Sequence, residues 1–215
     1  MPVRTIPKNY RNVTGIAFST KAVGAAQFES TLERDYLCLL EFSPEVTTFE
    51  VQPVRIQWTD NEGKARSYTP DVLVHFQPVL GRKPLLVEVK YRDDVGKNWR
   101  VLKPKLKQGV RFARAHGYRF SLVSEIEIRT PYLDNAKFLL PFLARSFPQE
   151  IINAVIVGIT RQDGTTPAQL VRSLAHDECL QAEYLAATWH LLASGRIGTD
   201  MSSYLSMNSP IWGFE

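Results

Sequence analysis

The sequence of 215 residues has only two cysteines, Cys38 and Cys179, and no apolar run that reaches the roughly 18 residues needed to cross a bilayer. Neither cysteine has a second cysteine at ligand spacing, which argues against a sulfur-ligated metal site. Both stand in apolar helical patterns, so we expect them to be reduced, buried and unreactive. The N-terminal sequence also lacks the apolar core of a signal peptide, and a cytoplasmic location is therefore expected.

Acidic residues are absent from one long stretch, residues 97–119, which holds eight lysines and arginines. A solvated helix normally mixes charges of both signs, so this density of one sign predicts contact with the phosphates of a nucleic acid. The alternative, a helix that is merely soluble, explains the missing acids less well. The candidate DNA-binding residues are Lys97, Arg100, Lys103, Lys105, Lys107, Arg111 and Arg114.

Basic residues are in turn scarce towards the C-terminus. Residues 148–215 hold three Lys/Arg against seven Asp/Glu, a net charge of −4, and the total charge of +4 leaves +8 for residues 1–147. We therefore expect two modules with different partners: a basic one at 1–147, which includes an N-terminal arm, and an acidic one at 148–215.

Periodicity predicts the elements of the first module. The first 25 or so residues are interpreted as an extended arm, whose Arg4, Lys8 and Arg11 would suit phosphates, although a solvated tail is the preferred explanation for them. Apolar residues recur every three or four positions in three predicted helices. A β-meander is expected between the first and second of them. The predicted helices cover residues 27–42, 98–116 (ended by Gly117) and 132–147 (kinked at Pro141).

The acidic module has a different order of elements. Three helices are predicted, at residues 148–160, 165–174 and 180–195, followed by a β-hairpin within residues 196–212. Three helices and a hairpin in this order are typical of a winged helix.

Three charged residues interrupt two apolar strands. Asp71 precedes "VLVHF", and Glu88 and Lys90 lie in "LLVEVK". Charges are rarely buried unless they are paired or bind a metal. A loop centred near Gly81 would put Asp71 opposite Lys90 or Tyr91, and alternation puts Glu88 and Lys90 on one face. Two carboxylates and an ammonium group would then converge, although a purely structural ion pair explains the spacing equally well.

Two carboxylates this close repel each other, and a divalent cation resolves the repulsion. Oxygen ligands of this kind suit Mg²⁺, with Mn²⁺ as a substitute. Such an ion can generate hydroxide, and a lysine can polarise a phosphate, so the set predicts phosphodiester hydrolysis. Glu33, on the preceding helix, could lean over the strands towards a metal, with Glu41 as a rival. An exposed partner for Lys21 or Arg34 is the alternative for Glu33.

The helix acid, the "PD" of residues 70–71 and the "E-x-K" of residues 88–90 form the PD-(D/E)xK pattern of nucleases with a restriction-endonuclease-like fold. The strings "TLERDYLCLLEFSPEVTTFEVQPVRI", "YTPDVLV" and "LLVEVK" resemble the TnsA family, the endonuclease subunits of heteromeric Tn-seven-like transposases. The resemblance covers about residues 25–125. It implies an α/β fold, in which a restriction-endonuclease-like core (a mixed sheet flanked by helices) is followed by a small winged-helix-like α module.

The resemblance also implies a function. A TnsA-like subunit is a Mg²⁺-dependent endonuclease that nicks the non-transferred strand at the 5′ ends of the transposon. A DDE transposase cuts the other strand, and an AAA+ regulator ATPase couples excision to target choice. Matched by motif position, Glu33 is the helix acid, Asp71 the central metal ligand, Glu88 the second-strand ligand and Lys90 the catalytic lysine. The Val89 carbonyl is an extra metal ligand.

The charge of the acidic module sets the expected partners. A winged-helix module in this family is usually considered DNA-binding, but a net charge of −4 favours docking to a protein, the regulator or the transposase. The expected place is the bacterial cytoplasm, at the nucleoid when assembled on transposon-end DNA, with no membrane contact. An autonomous nuclease of the restriction or junction-resolving type and a non-catalytic scaffold between transposase and ATPase are the alternative functions.

Overall fold

The computed structural model describes residues 13–162 and 164–214. The chain divides after Arg129 into two compact units. The basic residues Arg4, Lys8 and Arg11 of the expected N-terminal arm lie outside the described residues. None of the helices within the described ranges combines the length and apolarity that a membrane span requires.

The first unit alternates strands and helices. Its elements, in chain order, are β1 (Gly15–Ala17), β2 (Ala26–Phe28), α1 (Thr31–Phe42), β3 (Val46–Val51), β4 (Ile56–Thr59), β5 (Ala65–Tyr68), β6 (Val72–Phe76), a 3₁₀ turn (Pro78–Leu80), β7 (Leu85–Val89), α2 (Arg92–Lys97), α3 (Trp99–Ala115), β8 (Arg119–Val123) and α4 (Glu125–Ile128).

A four-stranded mixed sheet with the order β3-β6-β7-β8 is the centre of this unit. The pairs β3–β6 and β6–β7 are antiparallel, whereas β7 and β8 are parallel. Parallel neighbours need a crossover connection, and here the crossover contains α3. Helices α1 and α3 both contact the sheet, so the predicted mixed sheet flanked by helices is present.

Helix α3 is positioned by its apolar stripe. Leu102, Leu106, Gly109 and Ala113 are buried, and this spacing of three or four residues lies on one face of a helix. Gly117 ends the helix as predicted. It has a positive φ of 74°, and the following residue donates a backbone hydrogen bond of 2.7 Å to the Ala113 carbonyl, as in a Schellman motif.

The path of the chain before α3 differs from the predicted meander. Strands β4 and β5 form a separate two-stranded sheet, and β3 pairs directly with β6. The predicted helix at 27–42 begins later, at Thr31, because Ser30 caps it by accepting a hydrogen bond from the Glu33 backbone N–H. Residues 26–28 instead pair with residues 15–17, so part of the expected arm is a strand.

The outer edge of β3 is covered by the chain that precedes α1. The Phe49 N–H donates to the Lys21 carbonyl at 3.0 Å, and the Val23 N–H donates to the Phe49 carbonyl at 2.8 Å. An isolated parallel bridge joins Ala22 to Phe49. These hydrogen bonds use backbone groups of β3 that point away from β6.

The second unit is mainly helical, with one antiparallel strand pair. Its elements are α5 (Pro131–Leu143), α6 (Gln149–Arg161), α7 (Pro167–Leu174), α8 (Glu178–Ala193), β9 (Ile197–Thr199) and β10 (Ile211–Gly213). The predicted order of three helices and a strand pair is present in α6 to β10.

The division after Arg129 precedes the sequence boundary at 147/148, because α5 packs within the second unit. The Asn135 side chain donates to the Met201 and Ser203 carbonyls at 3.2 and 2.8 Å and accepts from the Leu205 N–H at 2.8 Å. These partners lie more than 60 residues further along the chain. Sequence periodicity does not reveal such contacts.

The expectation that both cysteines are buried is wrong for Cys179. Cys179 is exposed and Cys38 is half-buried. Cys179 lies in the first turn of α8, whereas the buried residues of that helix begin at Ala187.

Replacing Gly109 with alanine is expected to destabilise the protein by about 1 kcal/mol. A Cβ at this position would lie 2.6 Å from the Phe120 ring and 3.1 Å from the Tyr68 ring. Overpacking of this kind costs about 1–3 kcal/mol and exceeds the ~0.5–1 kcal/mol that alanine gains in a helix. Chemical denaturation measures the change in the free energy of unfolding.

Gly96→Ala is the matched control on α2. A Cβ there would meet nothing within 4 Å, so alanine is expected to stabilise the protein by about 0.4–1 kcal/mol. Equal effects of the two substitutions would contradict the close packing of α3 on the sheet.

Candidate active site

Two carboxylates face each other at neighbouring strand ends. Asp71 directly precedes β6, and its N–H donates to the Val87 carbonyl of β7 at 3.0 Å. Its Oδ2 accepts a hydrogen bond of 2.6 Å from the Val89 N–H. Glu88 lies between these two residues of β7, so the ladder itself brings the two acids together.

The register of β6 and β7 differs from the prediction. A loop centred on Gly81 would put Asp71 opposite Lys90 or Tyr91, whereas the observed ladder, extended by one residue, puts it opposite Glu88. The connection is asymmetric, because a 3₁₀ turn (Pro78–Leu80) begins almost at once after β6 and four further residues separate that turn from β7.

Glu88 is almost completely buried, with 1 % of its surface exposed. A buried carboxylate is costly unless it is paired and hydrogen-bonded. The Tyr68 hydroxyl donates to Oε2 at 2.7 Å, and the Lys105 Nζ donates to Oε1 at 3.0 Å. The Lys90 Nζ lies 3.5 Å from the same Oε1. Both oxygens of Glu88 therefore have partners.

Lys90 lies among the acidic groups. Its Nζ is 3.9 Å from Oδ2 of Asp71 and donates to the Val89 carbonyl at 3.1 Å. Burial lowers the pKa of this ammonium group, but the charges of Asp71, Glu88 and Glu33 outweigh burial and hold the pKa above its ordinary value. These charges favour the protonated form of Lys90, which has 30 % of its side chain exposed.

Glu33 belongs to the start of α1. Its Oε2 accepts a hydrogen bond from the Glu29 N–H at 2.7 Å, and its Oε1 accepts from the Ser30 hydroxyl at 3.0 Å. Burial raises the pKa of Glu33, while the charge of Lys90 opposes the rise. Glu33 thus lies within electrostatic reach of the strand ends, although its oxygens are engaged by the beginning of the helix.

The expected metal ligands were Glu33, Asp71, Glu88 and the Val89 carbonyl. Within residues 13–162 and 164–214, no three His, Cys, Asp or Glu side chains group closely enough to hold a metal by themselves. Mg²⁺ needs only one or two protein carboxylates, and Asp71, Glu88 and the Val89 carbonyl offer oxygens of this type. Burial and then the charge of Glu88 raise the pKa of Asp71 well above its ordinary value, a penalty that a bound cation would relieve. The donor set therefore fits Mg²⁺.

The basic residues of 97–114 separate into two groups. Lys105 is half-buried and points at Glu88, with 26 % of its side chain exposed. The other six are exposed to solvent: Lys97, Arg100, Lys103, Lys107, Arg111 and Arg114.

A groove of about 460 Å³ runs between α3 and the turn that joins β4 to β5. Lys103, Lys107 and Arg111 line one side, at spacings of four residues along the helix. Asp60 and Glu62 also line the groove, but each is paired with a basic residue: the Arg66 Nε donates to Asp60 at 2.7 Å, and the Lys64 Nζ lies 2.9 Å from Glu62. The groove therefore has a positively charged wall.

Sequence reasoning missed the roles of Tyr68 and Lys105. For Lys105 the signal was present, because a residue at this position shares a helix face with Leu102, Leu106 and Gly109. For Tyr68 no local signal exists, since β5 forms its own small sheet. The "S-x-x-E" spacing of Ser30 and Glu33 also carried the signal of a helix start.

Two family models match the chain. The model for the TnsA-like endonuclease N terminal matches residues 43–125, and the model for the TnsA endonuclease C terminal matches residues 127–201. The first match contains Asp71, Glu88 and Lys90 and begins after Glu33. A search of curated proteins gave no match. With its mixed sheet flanked by helices, the first unit has a restriction-endonuclease-like α/β fold.

Asp71→Asn is expected to raise the melting temperature of the metal-free protein at pH 7. The pKa of Asp71 is raised in the folded state, so the fold favours the neutral, protonated carboxyl group. Asparagine resembles that group in shape and is also neutral. The stability of the unsubstituted protein relative to the variant should fall as the pH rises from about 3.8 through the folded pKa. Thermal melts in EDTA across this range measure the difference.

Asp60→Asn is the control, for which the opposite change in stability is expected. The hydrogen bond from Arg66 lowers the pKa of Asp60, so the charged form is favoured and the variant should be slightly less stable at pH 7. If Asp71→Asn also destabilised the protein, that result would contradict the inference that burial and the charge of Glu88 disfavour the charged form of Asp71.

Proposed function

Because the chain belongs to the TnsA family of endonucleases, we propose that it nicks the non-transferred DNA strand at the 5′ ends of a Tn-seven-like transposon. The observation that carries the proposal is the convergence of Asp71, Glu88 and Lys90 at two neighbouring strand ends, inside the matched region. The reaction is hydrolysis of one phosphodiester bond, which leaves a 5′-phosphate and a 3′-hydroxyl.

Each residue has a role that its position supports. Asp71 and Glu88, with the Val89 carbonyl, would hold Mg²⁺, for which Mn²⁺ can substitute. Bound there, the ion would supply charge neutralisation at the phosphate and an activated water. Lys90 places an ammonium group at the same point, where it can polarise the scissile phosphate or orient the attacking water. Glu33 adds negative charge from α1.

The exposed basic face of α3 supports the DNA contact. Lys103, Lys107 and Arg111 line a groove beside β4 and β5, and charges at these spacings can follow a phosphate backbone. The same helix contributes Lys105 to the catalytic carboxylates, so DNA held along α3 lies close to Glu88. The full set of proposed contacts is Lys97, Arg100, Lys103, Lys107, Arg111 and Arg114.

The acidic module supports a role in protein docking. Residues 148–215 carry a net charge of −4, which opposes contact with phosphates. The module therefore docks a protein partner, the AAA+ regulator or the DDE transposase, and sequence specificity is supplied by the transposase.

Asp71→Ala and Lys90→Ala are expected to lower the nicking rate at least about 100-fold, because the first removes a carboxylate that would hold Mg²⁺ and the second removes the cation that would act on the scissile phosphate. The measurement is strand-specific nicking of a labelled transposon-end duplex in Mg²⁺, with and without the co-encoded transposase. Only the 5′-end strand should be cut, and only with the partner present.

Glu45→Gln is the control, since Glu45 is exposed and pairs with Arg82 at the surface. Its nicking rate should equal that of the unsubstituted protein. Cutting without the transposase would identify an autonomous nuclease. No cutting under any condition, with partner binding intact, would identify a scaffold and refute the proposal.

Replacing Lys103, Lys107 and Arg111 together with glutamine is expected to weaken DNA binding and to flatten its salt dependence. Each lost phosphate contact lowers the slope of log K against log salt by about 0.9. Binding isotherms at several salt concentrations measure the slope. Arg172→Gln, an exposed substitution in the acidic module, should leave the slope unchanged. An equal fall of the salt slope in the triple variant and in Arg172→Gln would contradict the proposal that α3, and not the acidic module, contacts DNA.

A further inference from the structure

Lys105 differs in position from its six basic neighbours on and before α3. It is half-buried, whereas the flanking Lys103 and Lys107 are exposed. Leu102, Leu106 and Gly109 form the buried face of α3, and Lys105 lies at the border of that face. Its ammonium group therefore points towards the sheet rather than along the exposed side of the helix.

The partner of Lys105 is the least exposed carboxylate of the site. Its Nζ donates to Oε1 of Glu88 at 3.0 Å and lies 5.2 Å from the centre of the Tyr68 ring. The Tyr68 hydroxyl donates to Oε2 of Glu88 at 2.7 Å. Lys105 and Tyr68 thus hold one oxygen each, and the ring below the ammonium group fixes its approach.

The contact between Lys105 and Glu88 affects the position of the nearby Lys90. Lys90 lies 3.5 Å from the Glu88 oxygen that Lys105 also contacts, and 3.9 Å from Asp71. If Lys105 were absent, Lys90 would be the nearest described cation to a buried carboxylate. A buried charge attracts the nearest counter-ion strongly, so Lys90 would be drawn towards Glu88 and away from the reacting phosphate.

We propose that Lys105 is a positioning residue of the nuclease: with Tyr68 it orients Glu88 and offsets part of its charge, so that Glu88 can also hold Mg²⁺ and Lys90 can act on the DNA. This inference rests on the proposed endonuclease activity. It replaces the sequence-based assignment of Lys105 to the DNA-binding set. The other six basic residues keep that assignment.

The two alternative roles of Lys105, a contact with DNA phosphate and the orientation of Glu88, predict different effects on DNA binding and on the nicking rate. A phosphate contact affects DNA affinity and its salt dependence. A residue that orients Glu88 affects the rate of the bound complex, and loss of such an outer contact typically costs about 10- to 100-fold. The pair Lys105→Gln and Lys107→Gln separates these roles, because both remove one lysine charge from the same helix.

The experiment measures nicking and binding of the same labelled transposon-end duplex by the full chain with its transposase. Lys105→Gln should nick about 10- to 100-fold more slowly at saturating DNA, with an unchanged dissociation constant and salt slope. Lys105→Arg, which keeps the charge, should recover part of the rate. Lys107→Gln should lower the salt slope by about 0.9. A normal nicking rate for Lys105→Gln, or a salt slope lowered as in Lys107→Gln, would overturn the inference.

A melting-temperature cycle tests the contact without relying on activity. Lys105→Gln should lower the melting temperature of the unsubstituted protein but have little effect in a Glu88→Gln background, where no buried charge is left unpaired. Additive effects of Lys105→Gln and Glu88→Gln on the melting temperature would overturn the inference. Absence of nicking by the unsubstituted protein would refute the proposed function, and the cycle would still decide whether Lys105 acts through Glu88.

Tyr68→Phe is a second variant, which removes the other hydrogen bond to Glu88. Like Lys105→Gln, it should lower the nicking rate without changing the salt slope.

Discussion

The repulsion between Asp71 and Glu88 is the constraint on which the rest of the site depends. The antiparallel ladder forces the two carboxylates together, and burial strengthens their repulsion. The surrounding groups offset this repulsion. The Val89 N–H donates a hydrogen bond to Asp71, Lys105 donates one to Glu88, and the positive charge of Lys90 lies beside both carboxylates. The site is consequently organised for cations, whether they come from lysine side chains or from a bound metal.

Helix α3 connects this local chemistry to an exposed basic face. It crosses over between the parallel strands β7 and β8, so it lies next to the strand that carries Glu88. One face supplies Lys105 to the carboxylates, and the opposite, exposed face carries Lys103 and Lys107. Because both faces belong to one helix, the distance between the exposed lysines and the carboxylates is set by the packing of α3, which is tight at Gly109.

Local patterns predicted much of this structure, and long-range contacts account for the remainder. The alternation of strand residues put Glu88 and Lys90 on one face, and Gly117 was identified as the end of α3. The register of Asp71 was not predictable, because it depends on a 3₁₀ turn that the composition of the loop does not specify. The inward direction of Lys105 and the membership of α5 in the second unit depend on partners far away in the sequence.

The backbone cover on β3 has a consequence for assembly. An open strand edge offers a row of unpaired N–H and C=O groups to any extended segment of another chain. Residues 21–23 occupy this edge at Phe49 with hydrogen bonds from within the same chain. Strand addition is thereby blocked at this position. A protein partner docked against this edge at Phe49 would therefore have to be recognised through side-chain complementarity rather than through backbone pairing.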